Sequence, residues 1–158
     1  MARPVGIRPY SAADFESLYE IDQSCFPRGI AYSRRTLREY LSLPGAQCLV
    51  ATVDAEIAGF ILTAPHDNQG HIITLDVTEP YRRRGVGSLL LQAAEGDLMA
   101  RGVDSLLLET ATNNEAAIAF WRKHGYVSYG VARGYYARGV DAFLMRKSCR
   151  TEKDTLPT

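Results

Sequence analysis

The sequence predicts an α/β (α+β) fold: one domain with a mixed central sheet of about six to seven strands and about four flanking helices. Three observations carry this expectation. Short apolar, β-branched segments alternate with longer segments of helical period along the chain, in the order β-α-α-β-β-β-α-β-α-β-β. Leu106, Leu107 and Leu108 form a continuous apolar run bounded by turns, which suits a strand covered on both faces. The chain has 158 residues, enough for one sizeable core, and contains no internal repeat or interdomain linker.

Val5 to Arg8 reads as a first strand closed by Pro9. Ser11 followed by Asp14 resembles a capping box opening a helix whose apolar face carries Phe15, Leu18, Tyr19 and Ile21. That helix runs out by Cys25-Phe26-Pro27, and Ser33 caps a second helix to about Leu41. Gln47 to Val53 and Glu56 to Thr63 form a hairpin about Asp54-Ala55. A turn over Asp67 to Gly70 leads into a strand of Ile72, Ile73, Thr74, Leu75 and Val77, which ends at Glu79-Pro80. A helix follows from about Val86 to Arg101, ended by Gly102. Gly96 weakens it by about 1 kcal/mol relative to alanine, so a packing reason for a bare backbone is expected there. Ser105 to Thr110 is the next strand, and Asn113 or Asn114 caps a helix from about Glu115 to His124 that Gly125 stops. Two final strands fall near Tyr126 to Arg133 and Val140 to Arg146. The expected domain covers residues 1–147, and the polar tail of 148–158 is expected to be disordered.

The 18 basic residues balance the 18 acidic ones, which argues against a dedicated nucleic-acid or membrane-surface binder. The three cysteines, Cys25, Cys48 and Cys149, have neither metal-ligand nor disulfide-framework spacing, so no metal is expected and a reducing cytoplasm is the better expectation. No apolar stretch approaches membrane-spanning length, and the N-terminus lacks a signal-peptide core.

The most informative stretch is Leu75 to Leu91, where strand, basic glycine loop and helix start follow one another. The first amides of a helix have no internal partner and its dipole favours negative charge, so this order makes an anion site. Gly85 and Gly87 permit close approach to the backbone, and Arg82, Arg83 and Arg84 add forked cationic donors. The competing reading is a solvated basic turn. Neither a P-loop nor a Gly-x-Gly-x-x-Gly fingerprint occurs.

Arg82-Arg83-Arg84-Gly85-Val86-Gly87 resembles the Gln/Arg-x-x-Gly-x-Gly/Ala loop of the GNAT superfamily of acetyl-CoA-dependent N-acetyltransferases. Asn114-Glu115-Ala116-Ala117-Ile118-Ala119-Phe120-Trp121-Arg122-Lys123-His124-Gly125-Tyr126 is similar to that superfamily's Asn-x-x-Ala-x-x-(Leu/Phe)-Tyr-x-x-x-Gly-Phe block. Within the superfamily the resemblance is to RimI-type ribosomal-protein N-terminal alanine acetyltransferases, through Cys25-Phe26-Pro27, Leu108-Glu109, Gly134-Tyr135-Tyr136 and Asp141-Ala142. Arg28 to Tyr40 does not follow the pattern.

The resemblance implies acetyl-CoA as acetyl donor and an amine as acceptor. Leu75, Asp76 and Val77 would pair with the pantetheine arm through strand backbone. Arg83 to Ser88, with Gly85, Val86 and Gly87 between them, would hold the pyrophosphate, assisted by Arg82 and Arg84. Asn114 would bind the pantetheine arm or another part of the cofactor by its side-chain amide. Glu109 falls at the general-base position. Trp121 falls in the cofactor block where such enzymes keep an acidic tyrosine; indole has no ionisable proton, and an apolar anchor is its plain reading.

Direct transfer needs a neutral amine, an aimed nitrogen and donors for the oxyanion. An α-amine has a pKa of about 7.7–8.0 against about 10.4 for lysine, so an N-terminal acceptor needs little help from a base. Glu109, at the end of an apolar strand, is expected to have its pKa raised by desolvation. With Trp121 silent, either the thiolate departs unaided or Tyr135 or Tyr136 supplies a proton. His71, His124 and the cysteines form no nucleophilic constellation, and direct attack requires none. The expected function is acetyl transfer to a protein N-terminus. A small-molecule or lysine amine, or a non-catalytic acyl-CoA-binding module, are the alternatives.

Overall fold

Local chemistry sets each boundary in the computed structural model, which describes residues 3–149. β1 (Gly6–Pro9) leads to Ser11, whose backbone amide donates to Asp14 Oδ2 at 2.9 Å, realising the predicted capping box across a short 3-10 turn. α1 (Phe15–Cys25) follows and buries Phe15, Leu18 and Ile21. α2 (Arg34–Leu41) is capped as expected, Ser33 Oγ accepting from Thr36 N. β2 (Gln47–Val53) and β3 (Glu56–His66) join through Asp54 and Ala55, both at positive φ, the backbone of a two-residue hairpin turn.

β3 and β4 (Gln69–Val77) extend further than the sequence indicated. The turn shrinks to Asp67-Asn68, with Asp67 at φ 55°, and Gln69 and Gly70 join the strand. Gly70 is there because of packing: a Cβ would meet Leu98 and Leu106 methyls at 2.9 Å. α3 (Val86–Ala100), β5 (Ser105–Ala111), α4 (Glu115–Lys123), β6 (Val127–Ala132) and β7 (Ala142–Ser148) complete the expected order. Gly96 corrects the sequence reading, because an added Cβ would meet nothing within 4 Å. β5 is corrected too: Leu106 and Leu108 are buried, but Leu107 and Glu109 on its other face are only partly buried. β7 begins two residues late, after a turn over Ala137–Gly139, and runs to Ser148. Cys149 N still donates to Asp104 O at 2.8 Å, and the expected tail from 150 onward lies outside the described residues.

The mixed sheet has seven strands in the order β1-β2-β3-β4-β5-β7-β6. β1–β2, β2–β3, β5–β7 and β6–β7 are antiparallel. β4 runs parallel to β5 over Gln69↔Ser105 to His71↔Leu107. The chain divides into two compact units, Met1–Ala64 with Ile72–Asp97, and Pro65–His71 with Leu98–Thr158. The first unit has a core of Phe15, Leu18, Ile21, Leu37, Val50, Phe60 and Leu62. In the second, Leu106, Leu108, Trp121, Tyr126 and Met145 are buried.

Candidate active site

In the first unit, burial alternates strictly along β4. Ile72, Thr74 and Asp76 point inward, and Ile73, Leu75 and Val77 lie on the half-buried face. Gly59 on β3 allows the closest approach: a Cβ there would sit 2.4 Å from the Asp76 carbonyl oxygen. Beyond Val77, Arg83 (φ 62°) and Gly85 (φ 81°) both take left-handed backbone. The first internal α3 bond at this end runs from Leu89 N to Gly85 O, so the amides of Val86 and Gly87 precede it. Alternating backbone handedness at a helix start turns successive N–H groups toward one concavity. This donor set fits a pyrophosphate. The arginines are exposed and have separate tasks. Arg82 Nε donates to Val77 O at 2.8 Å, and its terminal nitrogen lies 3.5 Å from Cys25 Sγ. Arg82 therefore braces the strand end, which the sequence reading had not foreseen.

Residues of the second unit carry the titratable cluster. Alternation places Glu109 on the same face of β5 as Leu107, whose backbone is in register with His71. His71 Nε2 lies 2.8 Å from Glu109 Oε1 and 3.1 Å from Oε2. Tyr135 OH donates to Glu109 Oε1 at 2.9 Å. A carboxylate only accepts, so Nε2 carries the proton in this pair. Burial is the largest single influence on Glu109 and would raise its pKa, but the His71 bond and charge and the Tyr135 hydroxyl outweigh it. Its pKa is lowered from 4.5, which corrects the expectation of a raised value. Tyr136 moves the other way, pushed up to about 12 by burial and then by the Glu109 charge. The two tyrosine rings meet edge to face at 4.8 Å.

Asn114, not Asn113, caps α4, its Oδ1 accepting from Ala117 N at 3.1 Å, a role that leaves the donors of its amide nitrogen for a ligand. Trp121 is 7% exposed, with Phe120 and Tyr126 against its ring at 5.1 and 5.4 Å. That is an apolar anchor. His71 was missed by sequence reading, although it shares β4's period-two face with Ile73, Leu75 and Val77, a signal available in the sequence. An open cavity of about 520 Å³ in the first unit, lined by Arg8, Asp14, Glu20 and Glu56 among others, contains none of the predicted site residues. Among the described residues no cluster suits a metal ion, and no helix is long and apolar enough to cross a membrane.

The acetyltransferase (GNAT) family model matches residues 15–126. An N-alpha-acetyltransferase of Sulfurisphaera tokodaii is 30% identical over 152 residues, covering 88% of this chain and 90% of the relative. The crystal structure of Ard1 from Thermoplasma volcanium superposes with a TM-score of 0.85 at 29% identity, covering 93% of this chain and 99% of that one. The ribosomal-protein-S18-alanine N-acetyltransferase from Escherichia coli gives a TM-score of 0.83 at 26% identity, covering 98% and 100%. With its loop geometry and strand order, the chain belongs to the GNAT acetyltransferase family and is an acetyl-CoA-dependent acetyltransferase.

Proposed function

We propose that this enzyme acetylates the α-amine of a protein or peptide N-terminus by direct transfer, and that Glu109 and His71 accept the amine's proton as one unit. The observation that carries this reading is the Glu109–His71–Tyr135 hydrogen-bonded cluster. The proton of an α-ammonium, pKa about 7.7–8.0, is easier to remove than that of lysine, about 10.4, by roughly 3–4 kcal/mol whichever base receives it, and that selects among acceptors. The α-amine is also partly neutral near pH 7 without help. Two of the relatives are named for N-alpha or alanine N-acetylation, which supports the same acceptor.

Bound acetyl-CoA supplies an activated acetyl thioester. In this reading the amides from Arg83 to Ser88 hold its pyrophosphate, with Arg83 and Arg84 adding charge. Leu75, Asp76 and Val77 offer backbone to its pantetheine arm, and the Asn114 amide nitrogen donates to it. Ionised Glu109 holds His71 Nε2–H and fixes the ring, leaving Nδ1 as the acceptor of the amine proton. Tyr136 is a poor proton donor for the leaving thiolate. Transfer from a phenol at about 12 to a thiolate of about 8.5 is uphill by roughly 5 kcal/mol. Tyr135 already commits its proton to Glu109. The thiolate therefore leaves unaided. The domain assignment of residues 1–147 and a cytoplasmic setting belong to the same proposal, the latter supported by three free thiols.

The test supplies acetyl-CoA with two peptides, one with a free α-amine and no lysine, the other α-blocked with a free lysine, and follows thiol release. Release with the first alone is expected. Release with the second alone would overturn the acceptor assignment.

A further inference from the structure

Asp22 on α1 and Asp76 on β4 are buried in the first unit, 0% and 1% exposed, and neither has a cationic hydrogen-bonding partner among the described residues. Asp22 Oδ2 accepts from Tyr32 N at 2.7 Å, and Asp76 Oδ1 accepts from Thr74 Oγ1 at 2.5 Å. The other oxygen of each, Asp22 Oδ1 and Asp76 Oδ2, is buried with no hydrogen-bond partner among the described residues, and each carboxyl group acts on the other's acidity as a neighbour does. Two adjacent carboxylates cannot both ionise in a buried setting without an intervening cation. A proton between them answers both unpartnered oxygens at once.

We propose that Asp22 and Asp76 share one proton, and that this acid pair positions the β4 edge from Leu75 to Val77 together with Tyr32 on the α1–α2 connection. The fold builds outward from the pair. Tyr32 is fixed at three atoms: its amide on Asp22, its carbonyl accepting from Gln23 Nε2 at 2.6 Å, and its hydroxyl donating to Ile73 O at 3.3 Å. Ile73 and Asp76 both belong to β4, so one buried proton ties α1, the connection after it and the strand into one clasp. The groups facing the pair are Cys25 on α1, Cys48 on β2 and Arg82 after β4. Both thiols are held protonated by burial, Cys48 up to about 12, and so bring no charge to the pair. Arg82 is the only one of these three that favours an ionised Asp76, and its guanidinium is directed at Val77 O and Cys25 Sγ. Burial first, and then the Asp22 carboxylate, hold Asp76 protonated well above the usual carboxylate range.

The sign follows. The folded state binds a proton that the unfolded chain releases near pH 4, so stability is full below that point and falls as pH rises toward the folded pKa. Asp76→Asn keeps a donor to Asp22 and cannot titrate. Urea unfolding of the wild type and Asp76→Asn, from pH 4 upward, should show the wild-type unfolding constant rising relative to the variant by up to tenfold per pH unit. Protection of the Tyr32 amide, taken relative to its base-catalysed intrinsic exchange rate, should fall over the same range in the wild type alone. The ratio of the wild-type to the Asp76→Asn KM for acetyl-CoA should rise with pH, whatever pH dependence of kcat the two proteins share. That last readout rests on the acyl-donor reading of Leu75 to Val77; the first two do not. Parallel unfolding and exchange profiles would overturn the clasp itself, and a level KM ratio with diverging unfolding profiles would overturn only its hold on the cofactor edge. Asp22→Asn, in which the amide donates to Asp76, provides the same comparison if Asp76→Asn does not fold.

Discussion

Glu109 and Asp76 are both carboxyl groups withdrawn from water, and burial is the largest influence on each, yet their acidities move in opposite directions. Glu109 faces the His71 ring and the Tyr135 hydroxyl, which prefer a charge to bond to. Asp76 faces another carboxyl group, whose charge repels a second one in a setting with little water to screen it. Burial sets how much a partner matters, and the partner sets the sign. In the proposed reading Glu109 takes part in handling a proton, and Asp76 in holding one.

The comparison predicts effects of graded size. Glu109→Gln removes the charge from the cluster and should lower kcat by about 10²–10⁴-fold, the usual contribution of a positioned base, with the KM for acetyl-CoA little changed. Steady-state kinetics check this, and a loss below tenfold would break the assignment. The sign for stability is opposite to that of Asp76. A lowered pKa contributes stability above the unfolded value of 4.5 that is lost as pH falls through the folded one. Gly59→Ala should be the next largest, because its Cβ would sit 2.4 Å from the Asp76 carbonyl. Such overpacking against backbone costs about 1–3 kcal/mol, and the KM for acetyl-CoA should rise with it. Chemical denaturation and kinetics measure both.

Asp14 sharpens the contrast as a third buried carboxylate. Two Arg8 nitrogens donate to it at 2.8 and 2.9 Å and hold it down to about 2. Arg8→Met should cost about 1–2 kcal/mol at pH 7, discounted because the arginine is 42% exposed. That cost should fade as pH falls from about 4 toward 2, which acid unfolding curves of the two proteins would reveal. Tyr136→Phe should be the smallest, less than about twofold in kcat, since a phenol at about 12 gives up no proton to the thiolate.

The fold was legible where local chemistry and period agree. Ser33 at a helix start, Asp54-Ala55 between apolar strands and Gly102 after α3 mark boundaries through backbone rules that act over a few residues. The extension of β4 back to Gln69 was hidden because Gly70 reads as a turn, whereas it is required by Leu98 and Leu106, residues distant in the chain. The glycine loop before α3 was legible for the same local reasons. The charge state of Glu109 was not, because it depends on His71, 38 residues away, brought alongside by parallel register. Asp22 and Asp76 read as ordinary polar positions on a helix and a strand. Their meeting is a tertiary fact.

The most direct measurement is a carbon-detected NMR titration of the side-chain carboxyl groups of Glu109 and Asp76 in the same sample. The account predicts that Glu109 titrates below 4.5 and Asp76 well above 3.8, with the Asp76 transition moving Asp22 as well. Displacement of both groups in the same direction would contradict it.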